Sequence, residues 1–363
     1  MINVTKSFLP PLEEYQRLIA GIWERSWLTN HGPLVTELEQ KLGTYLGIPY
    51  VLFLSNGTVA LQIAIKALEL KGEIITTPFS YVATTNSILW EGCSPVFADI
   101  DKETLNIDPL AIESKITSRT SAILATHVYG NPCDIEAIEL LAQKYHLKVI
   151  YDAAHCFGSK YKDQSVYCYG DISTASFHAT KLFHTGEGGA VFTLSNNLYE
   201  KLSLLRNFGH ISPEEFALAG INGKNSELHA AMGLSILPYI EGIICKRREL
   251  SLLYDLQLQN LSLSKVRINK HATFNYAYYP VIFESEGDLL KVISTLKDHN
   301  IIPRRYFFPS LNTLSYVGYH SAPISESISK RVLCLPLYYD LREEDIEQIS
   351  QYISQTLNTK KWF

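Results

Sequence analysis

From residue 50 to residue 194 the chain repeats one texture: a short apolar run, a polar break, then often ten or so residues with helical spacing. The apolar runs fall at 51–54, 73–77, 95–100, 122–128, 148–153, 172–177 and 190–194. They lack polar alternation, so they predict strands buried on both faces. Such strands, separated by helices, predict a mostly parallel sheet covered on both sides. Helices are expected from the Asn56-Gly57-Thr58 turn to about residue 70, over 81–90 and over 134–145. Upstream, 12–27 and 34–46 also read as helices, and in the second Leu38, Leu42 and Leu46 recur four apart on one face.

Past Ser226 the pattern changes. A long helical stretch, interrupted near Pro238 and charged through Arg248, leads into a tail with strands at 275–283 and 302–308 and helices at 288–299 and 342–357. The expected class is α/β: a large domain over 1–240, N-terminal helical segment included, and a smaller α+β domain over 241–363.

Composition narrows the function classes. The 363 residues carry a net charge of −5 with both signs mixed, and the basic clusters Lys246-Arg247-Arg248 and Arg304-Arg305 are too short to argue for nucleic acid. Cysteines 93, 133, 156, 168, 245 and 334 are scattered without Cys-x-x-Cys or Cys/His ligand spacing. That pattern fits a reducing compartment better than a disulfide framework or a metal site. The first residues lack a signal-peptide pattern, and no apolar run looks long enough to cross a bilayer, so a cytoplasmic protein without membrane attachment is expected.

Chemistry concentrates at strand ends, where open α/β sheets place their ligands. Lys181 follows run 172–177 on a short loop, where desolvation lowers an amine's pKa and makes it a Schiff-base nucleophile. Asn56-Gly57-Thr58 opens a helix and offers free amides to an anion such as phosphate, or else is an ordinary N-cap. Asp152, after a buried strand, needs a cation or a protonated ring nitrogen, and His155 follows it. Tyr81 either stacks on a planar ligand or packs as a core aromatic. A phosphate nest, a stacking ring, a carboxylate and a lysine are the parts that hold pyridoxal phosphate.

The chain resembles the pyridoxal-phosphate sugar aminotransferases of the DegT/DnrJ/StrS group over essentially its whole length. The matching stretches include Trp27-Leu28-Thr29-Asn30-His31-Gly32-Pro33, Ser55-Asn56-Gly57-Thr58, Pro78 to Thr84, His127-Val128-Tyr129-Gly130, Asp152-Ala153-Ala154-His155, Ser176 to Lys181, Gly186-Glu187-Gly188-Gly189 and Gly223-Lys224-Asn225-Ser226-Glu227. The resemblance implies the aspartate-aminotransferase-like architecture (fold type I), with Lys181 carrying the cofactor and shuttling a proton. It places Asp152 on the pyridine nitrogen, His155 beside the ring, Tyr81 stacked on it, and Gly57, Thr58 and Ser176 on the phosphate. Asn225 matches a residue that relatives contribute from a neighbouring subunit, which implies a homodimer with shared active sites. Thr29, Asn30, His31, His178, Arg304, Arg305 and Tyr306 are the substrate-side candidates.

The implied reaction takes an amino group from L-glutamate, passes through pyridoxamine phosphate, and delivers the group to a nucleotide-linked keto-sugar. Among such sugars dTDP-4-keto-6-deoxyglucose is the closest match, with 3-keto sugars as the alternative. Sugar dehydratases of the same family replace the lysine by histidine, whereas this chain keeps Lys181. A non-catalytic binding protein on this fold is the third alternative.

Overall fold

The computed structural model describes residues 1–358; the last residues of the expected 241–363 unit, 359–363, lie outside the described residues. Seven strands form the central sheet in the spatial order Tyr50–Leu54, Gly189–Thr193, Ile172–Ser176, Lys148–Asp152, Thr120–Thr126, Glu73–Thr76 and Ser94–Phe97. Neighbours are parallel except at Gly189–Thr193, which runs antiparallel to both strands beside it. The link from Ser176 through Lys181 to Gly189 contains no crossover helix, and without one the returning strand reverses direction. The sheet is therefore mixed but largely parallel.

Strand Tyr50–Leu54 shows why the apolar runs do not alternate. Val51 and Phe53 enter one hydrophobic cluster, with Leu38 and Leu42 of helix Pro33–Leu46. Leu52 and Leu54 enter another, with Ala60, Leu61 and Ala64 of helix Gly57–Ala67. Both faces of the strand are buried, and each fully buried side chain of this size contributes roughly 1.5–3 kcal/mol. Because the strand is parallel in direction to Ile172–Ser176, its carboxyl end and those of Ile172–Ser176, Lys148–Asp152, Thr120–Thr126 and Glu73–Thr76 share one edge of the sheet. That edge carries the site.

The C-terminal part contains a three-stranded antiparallel sheet, ordered Leu263–Lys265, Tyr279–Phe283, Val332–Leu335. Helices Ile240–Leu258, Glu286–Asp298 and Glu343–Asn358 bury Tyr254, Leu289 and Ile349 against it. Three expectations change here. The expected strand 302–308 reduces to Ile301–Ile302, because Pro303 has no amide to donate and Tyr306 and Phe307 turn inward to join an aromatic cluster. Val332–Leu335, a buried run of four, is a strand too short to announce itself by period. Helix Asn196–Arg206 was not expected either; Ser195 caps it by accepting from the Leu198 amide at 3.4 Å.

The first strand, Ile2–Asn3, crosses to pair with Ile301–Ile302, and Ile2 packs against the C-terminal cluster. Helices Glu227–Ile236 and Ile240–Leu258 join through a 3-10 turn holding Pro238. Contrary to the sequence expectation, the combined stretch Glu227–Leu258 is long and apolar enough to cross a membrane by length and composition. Its apolar side chains are engaged inside the protein: Ala230, Ala231, Ile236, Ile240 and Ile243 in one core, Leu250, Tyr254 and Leu258 in another.

Candidate active site

The shared strand edge opens into a cavity of about 270 Å³ lined by Gly57, Thr58, Tyr81, Asp152, His155, Ser176 and Lys181. Every cofactor-side candidate except Asn225 is in that group. His178, Arg304 and Tyr306 line it as well.

Lys181 is fixed by a folded-back loop. The Ala179 amide donates to the Gly186 carbonyl at 2.8 Å, the Thr185 amide to the Phe177 carbonyl at 2.9 Å, and the Lys181 amide to the His178 carbonyl at 2.8 Å. His184 anchors the same loop through a 2.8 Å contact between its Nε2 and the Phe8 carbonyl. The glycine-rich tail thus returns the chain into strand Gly189–Thr193 and holds the lysine. The Lys181 amine donates to the Tyr278 hydroxyl at 3.4 Å. Desolvation pushes its pKa down to about 8, with the Asp152 carboxylate opposing.

Asp152 ends strand Lys148–Asp152, buried. Burial raises its pKa; the Thr84 hydroxyl, donating at 2.6 Å, and the Ala154 amide, donating at 3.2 Å, oppose that rise. A carboxylate so placed lacks a full counter-charge, which suits a protonated pyridine nitrogen. His155 stacks on Phe307 with ring centroids 5.6 Å apart and 5° between planes, and desolvation drives its pKa well below the ordinary value, so the ring is neutral.

At the start of helix Gly57–Ala67 the N-cap reading of Asn56-Gly57-Thr58 holds and is compatible with the phosphate reading. Asn56 is the N-cap, its side chain accepting from the Val59 amide at 2.9 Å. That leaves the first-turn amides of Gly57 and Thr58 without partners inside the helix, at the positive end of its dipole. A Cβ on Gly57 would lie 2.9 Å from the Ser176 Cβ, so only glycine lets the helix sit directly on the end of the serine's strand. Amides, hydroxyl and dipole converge there as a phosphate needs. Tyr81 is 54% exposed, which rules out the core-aromatic alternative and leaves a ring face open on the cavity. These residues fit pyridoxal phosphate.

Several candidates lie elsewhere. The Asn225 amide nitrogen donates to the Leu54 carbonyl at 3.1 Å and the Glu187 carbonyl at 3.0 Å, while its oxygen accepts from Ser226 at 2.8 Å. Both amide protons are engaged, so none is left for a phosphate. Asn30 and His31 line a second hollow with Arg206, Asn207, His210 and Lys224, and Thr29 accepts from the Trp27 indole at 2.6 Å through its carbonyl. The Arg305 guanidinium turns away from the cavity to Glu286 at 2.7 Å and the Lys330 carbonyl at 3.1 Å. Conversely, Tyr278 reaches the cavity although the sequence marked it only as part of an expected strand, and Phe307, from the segment 304–309 read as lying near the sugar, reaches it too.

Residues 12–354 match the model of the DegT/DnrJ/EryC1/StrS aminotransferase family. Over 361 residues, 98% of each chain, the protein is 43% identical to the dTDP-4-amino-4,6-dideoxy-D-glucose transaminase of Shigella dysenteriae. An Escherichia coli transaminase of the same name is 40% identical over 97% of this chain and 98% of its own. Among solved structures, DesI in the presence of its TDP-sugar product superimposes with a TM-score of 0.93 at 30% identity, covering 99% of this chain and 94% of that one.

Proposed function

The chain belongs to the DegT/DnrJ/EryC1/StrS aminotransferase family, and from that premise we propose that it moves an amino group from L-glutamate to dTDP-4-keto-6-deoxy-D-glucose, yielding dTDP-4-amino-4,6-dideoxy-D-glucose and 2-oxoglutarate. It is a pyridoxal-phosphate-dependent enzyme of the α/β fold type I class. The observation that carries the activity is Lys181 beside a buried, cation-seeking Asp152 in one cavity.

When bound, pyridoxal phosphate supplies an electron sink for the carbon that bears the amine. Asp152 would hold the ring nitrogen, Tyr81 would cover a ring face, and Gly57, Thr58 and Ser176 would take the phosphate. Lys181 would anchor the group covalently, and its free amine would take the proton from the α-carbon of the donor. With a pKa near 8, about half of it is neutral and able to do so around that pH. In the second half-reaction the same nitrogen returns a proton to the carbon of the sugar that becomes aminated. Arg304 and Tyr306 on the opposite chain segment, with His178, supply polar groups for the anionic sugar substrate.

Asn30 and His31 line a hollow apart from the Lys181 cavity of their own chain, which supports a homodimer in which they serve a second copy's site. Exposed Trp27, Leu28, Phe208, Ile211 and Phe216 adjoin the same hollow in sequence or space and supply apolar surface for the homodimer. Sedimentation at equilibrium checks this, a monomer being the contrary outcome. The product serves a surface glycan such as O-antigen, made from a cytoplasmic pool. The test of function is incubation with L-glutamate and dTDP-, UDP- and GDP-linked keto-sugars, products identified by mass and by the position of the new amine. A 3-amino product, or the absence of 2-oxoglutarate with every sugar, refutes the assignment.

A further inference from the structure

Three buried hydroxyls form a chain that ends on Asp152. Thr84 Oγ1 donates to Asp152 Oδ2 at 2.6 Å, Ser80 Oγ lies 2.7 Å from Thr84 Oγ1, and Thr126 Oγ1 lies 3.0 Å from Ser80 Oγ. All four side chains are buried. The three hydroxyls arrive from three elements. Thr126 ends strand Thr120–Thr126 in register with Asp152, Ser80 sits in the turn after Glu73–Thr76, and Thr84 lies in the first turn of helix Val82–Trp90.

Each hydroxyl has one proton to give. Because Thr84 gives its proton to the carboxylate, the proton between Thr84 and Ser80 belongs to Ser80, and the next one belongs to Thr126. The ionised carboxylate therefore sets the direction of the entire chain. Protonating Oδ2 would remove the acceptor that orders it. Aligned hydrogen bonds in a low-dielectric site polarise one another, and those ending on a charge are about twice as strong as neutral ones.

The other titratable groups that face Asp152 are Lys181, Cys156 and Tyr167. Lys181 is the one cation among them, and its nitrogen is the reacting atom, so it cannot serve as a constant counter-charge. A separate means of keeping the carboxylate charged is required.

We propose that Thr84, Ser80 and Thr126 are positioning residues that keep Asp152 ionised and its Oδ2 fixed, leaving its other lone pairs for a protonated ring nitrogen. The last clause rests on the assignment of Asp152 to the cofactor ring; the first does not. The test begins with cofactor-free protein labelled with ¹³C at aspartate carboxyls, the Asp152 signal identified by its loss in Asp152→Asn. Thr84→Val is expected to raise the Asp152 titration midpoint by at least about one pH unit, a tenfold gain in proton affinity. Thr84→Ser restores it, and Thr126→Val moves it by less, being two hydroxyls further away. A midpoint unchanged in Thr84→Val, or moved equally by Thr84→Ser, overturns the proposal. The second arm follows the ring-nitrogen signal of bound ¹⁵N-pyridoxal phosphate, which shifts towards the neutral form in Thr84→Val. If the carboxyl midpoint moves and this signal does not, the hydroxyl chain stands and the assignment of Asp152 to the ring falls.

Discussion

The Glu227 carboxylate sits against Gly32, so close that a Cβ there would stand 2.6 Å from its Cδ, and it joins the start of helix Pro33–Leu46 to the start of helix Glu227–Ile236. Glu227 is fully buried, and its two oxygens accept at 2.9 Å from the amides of Leu34 and Val35. Those are first-turn donors that the preceding Gly32, having no side-chain oxygen, cannot satisfy itself. The carboxylate thus caps a helix from across the chain, at the positive end of its dipole, with an Arg25 nitrogen 3.9 Å away.

Glu227→Ala should therefore cost about 2–4 kcal/mol, since two buried amides lose their acceptor at once. Glu227→Gln should cost less, because an amide offers one oxygen to the same pair. Gly32→Ala should be destabilising too, by displacing the carboxylate. Urea unfolding of the three variants ranks them; equal midpoints for Glu227→Ala and the parent protein would refute the cap.

The amine of Lys181 sets a pH profile. Burial lowers its pKa from 10.5 to about 8, so more of it is neutral, and only the neutral amine attacks an aldehyde. At pH 8 about half of the molecules are reactive, against roughly one in three hundred for an ordinary lysine. Covalent capture of pyridoxal phosphate by cofactor-free protein should rise with pH, be half-maximal near 8, and level off above it. Stopped-flow absorbance of the lysine-bound cofactor reads this directly. A rate still climbing tenfold per unit at pH 9.5 would show an unperturbed amine, and Lys181→Ala should give no band at all.

Tyr81 is exposed where a ring can lie on it, so its removal should separate binding from stability. Tyr81→Ala is expected to weaken pyridoxal phosphate about tenfold, the scale of one aromatic stacking contact. Tyr81→Phe should bind nearly as well as the parent, and both should unfold at the parent's denaturant concentration. Fluorescence titration with the cofactor measures the first quantity. If Tyr81→Phe loses as much as Tyr81→Ala, the hydroxyl and not the ring is the contact.

How far the sequence carried can be judged at particular residues. Lys181, Asp152 and Asn56-Gly57-Thr58 were legible because each breaks a buried strand pattern at its end, and parallel strands bring those ends together. Helix bounds shifted little: 134–145 became Ile135–Tyr145 with Asp134 as its cap. The hydroxyl chain was not legible, because Thr126, Ser80 and Thr84 converge only through sheet register and a helix turn. Nor was the orientation of Asn225, whose polar atoms are taken up by the Leu54 and Glu187 carbonyls and the Ser226 amide. Spacing along a chain does not report which way a loop side chain turns.

Arg304 and Arg305 make that limit testable. Arg304 pairs through its backbone with Cys334, which directs its side chain over the Tyr306 ring, 4.7 Å from the centroid, at the cavity wall. Arg305, one residue on, lies 3.6 Å over the Phe308 ring and ties Glu286 to the carbonyl of Lys330. Its side chain is only 17% exposed, so losing it removes a packed cation and leaves the partly buried Glu286 carboxylate without its partner. Arg305→Met should lower unfolding stability by about 1–3 kcal/mol and leave the KM of the sugar nucleotide near the parent value. Arg304→Met should do the reverse, raising that KM roughly tenfold or more through a lost charge-assisted contact while the unfolding midpoint stays put. Steady-state kinetics and urea unfolding on the two proteins decide it: a KM effect in Arg305→Met with none in Arg304→Met would move the substrate contact to the other arginine.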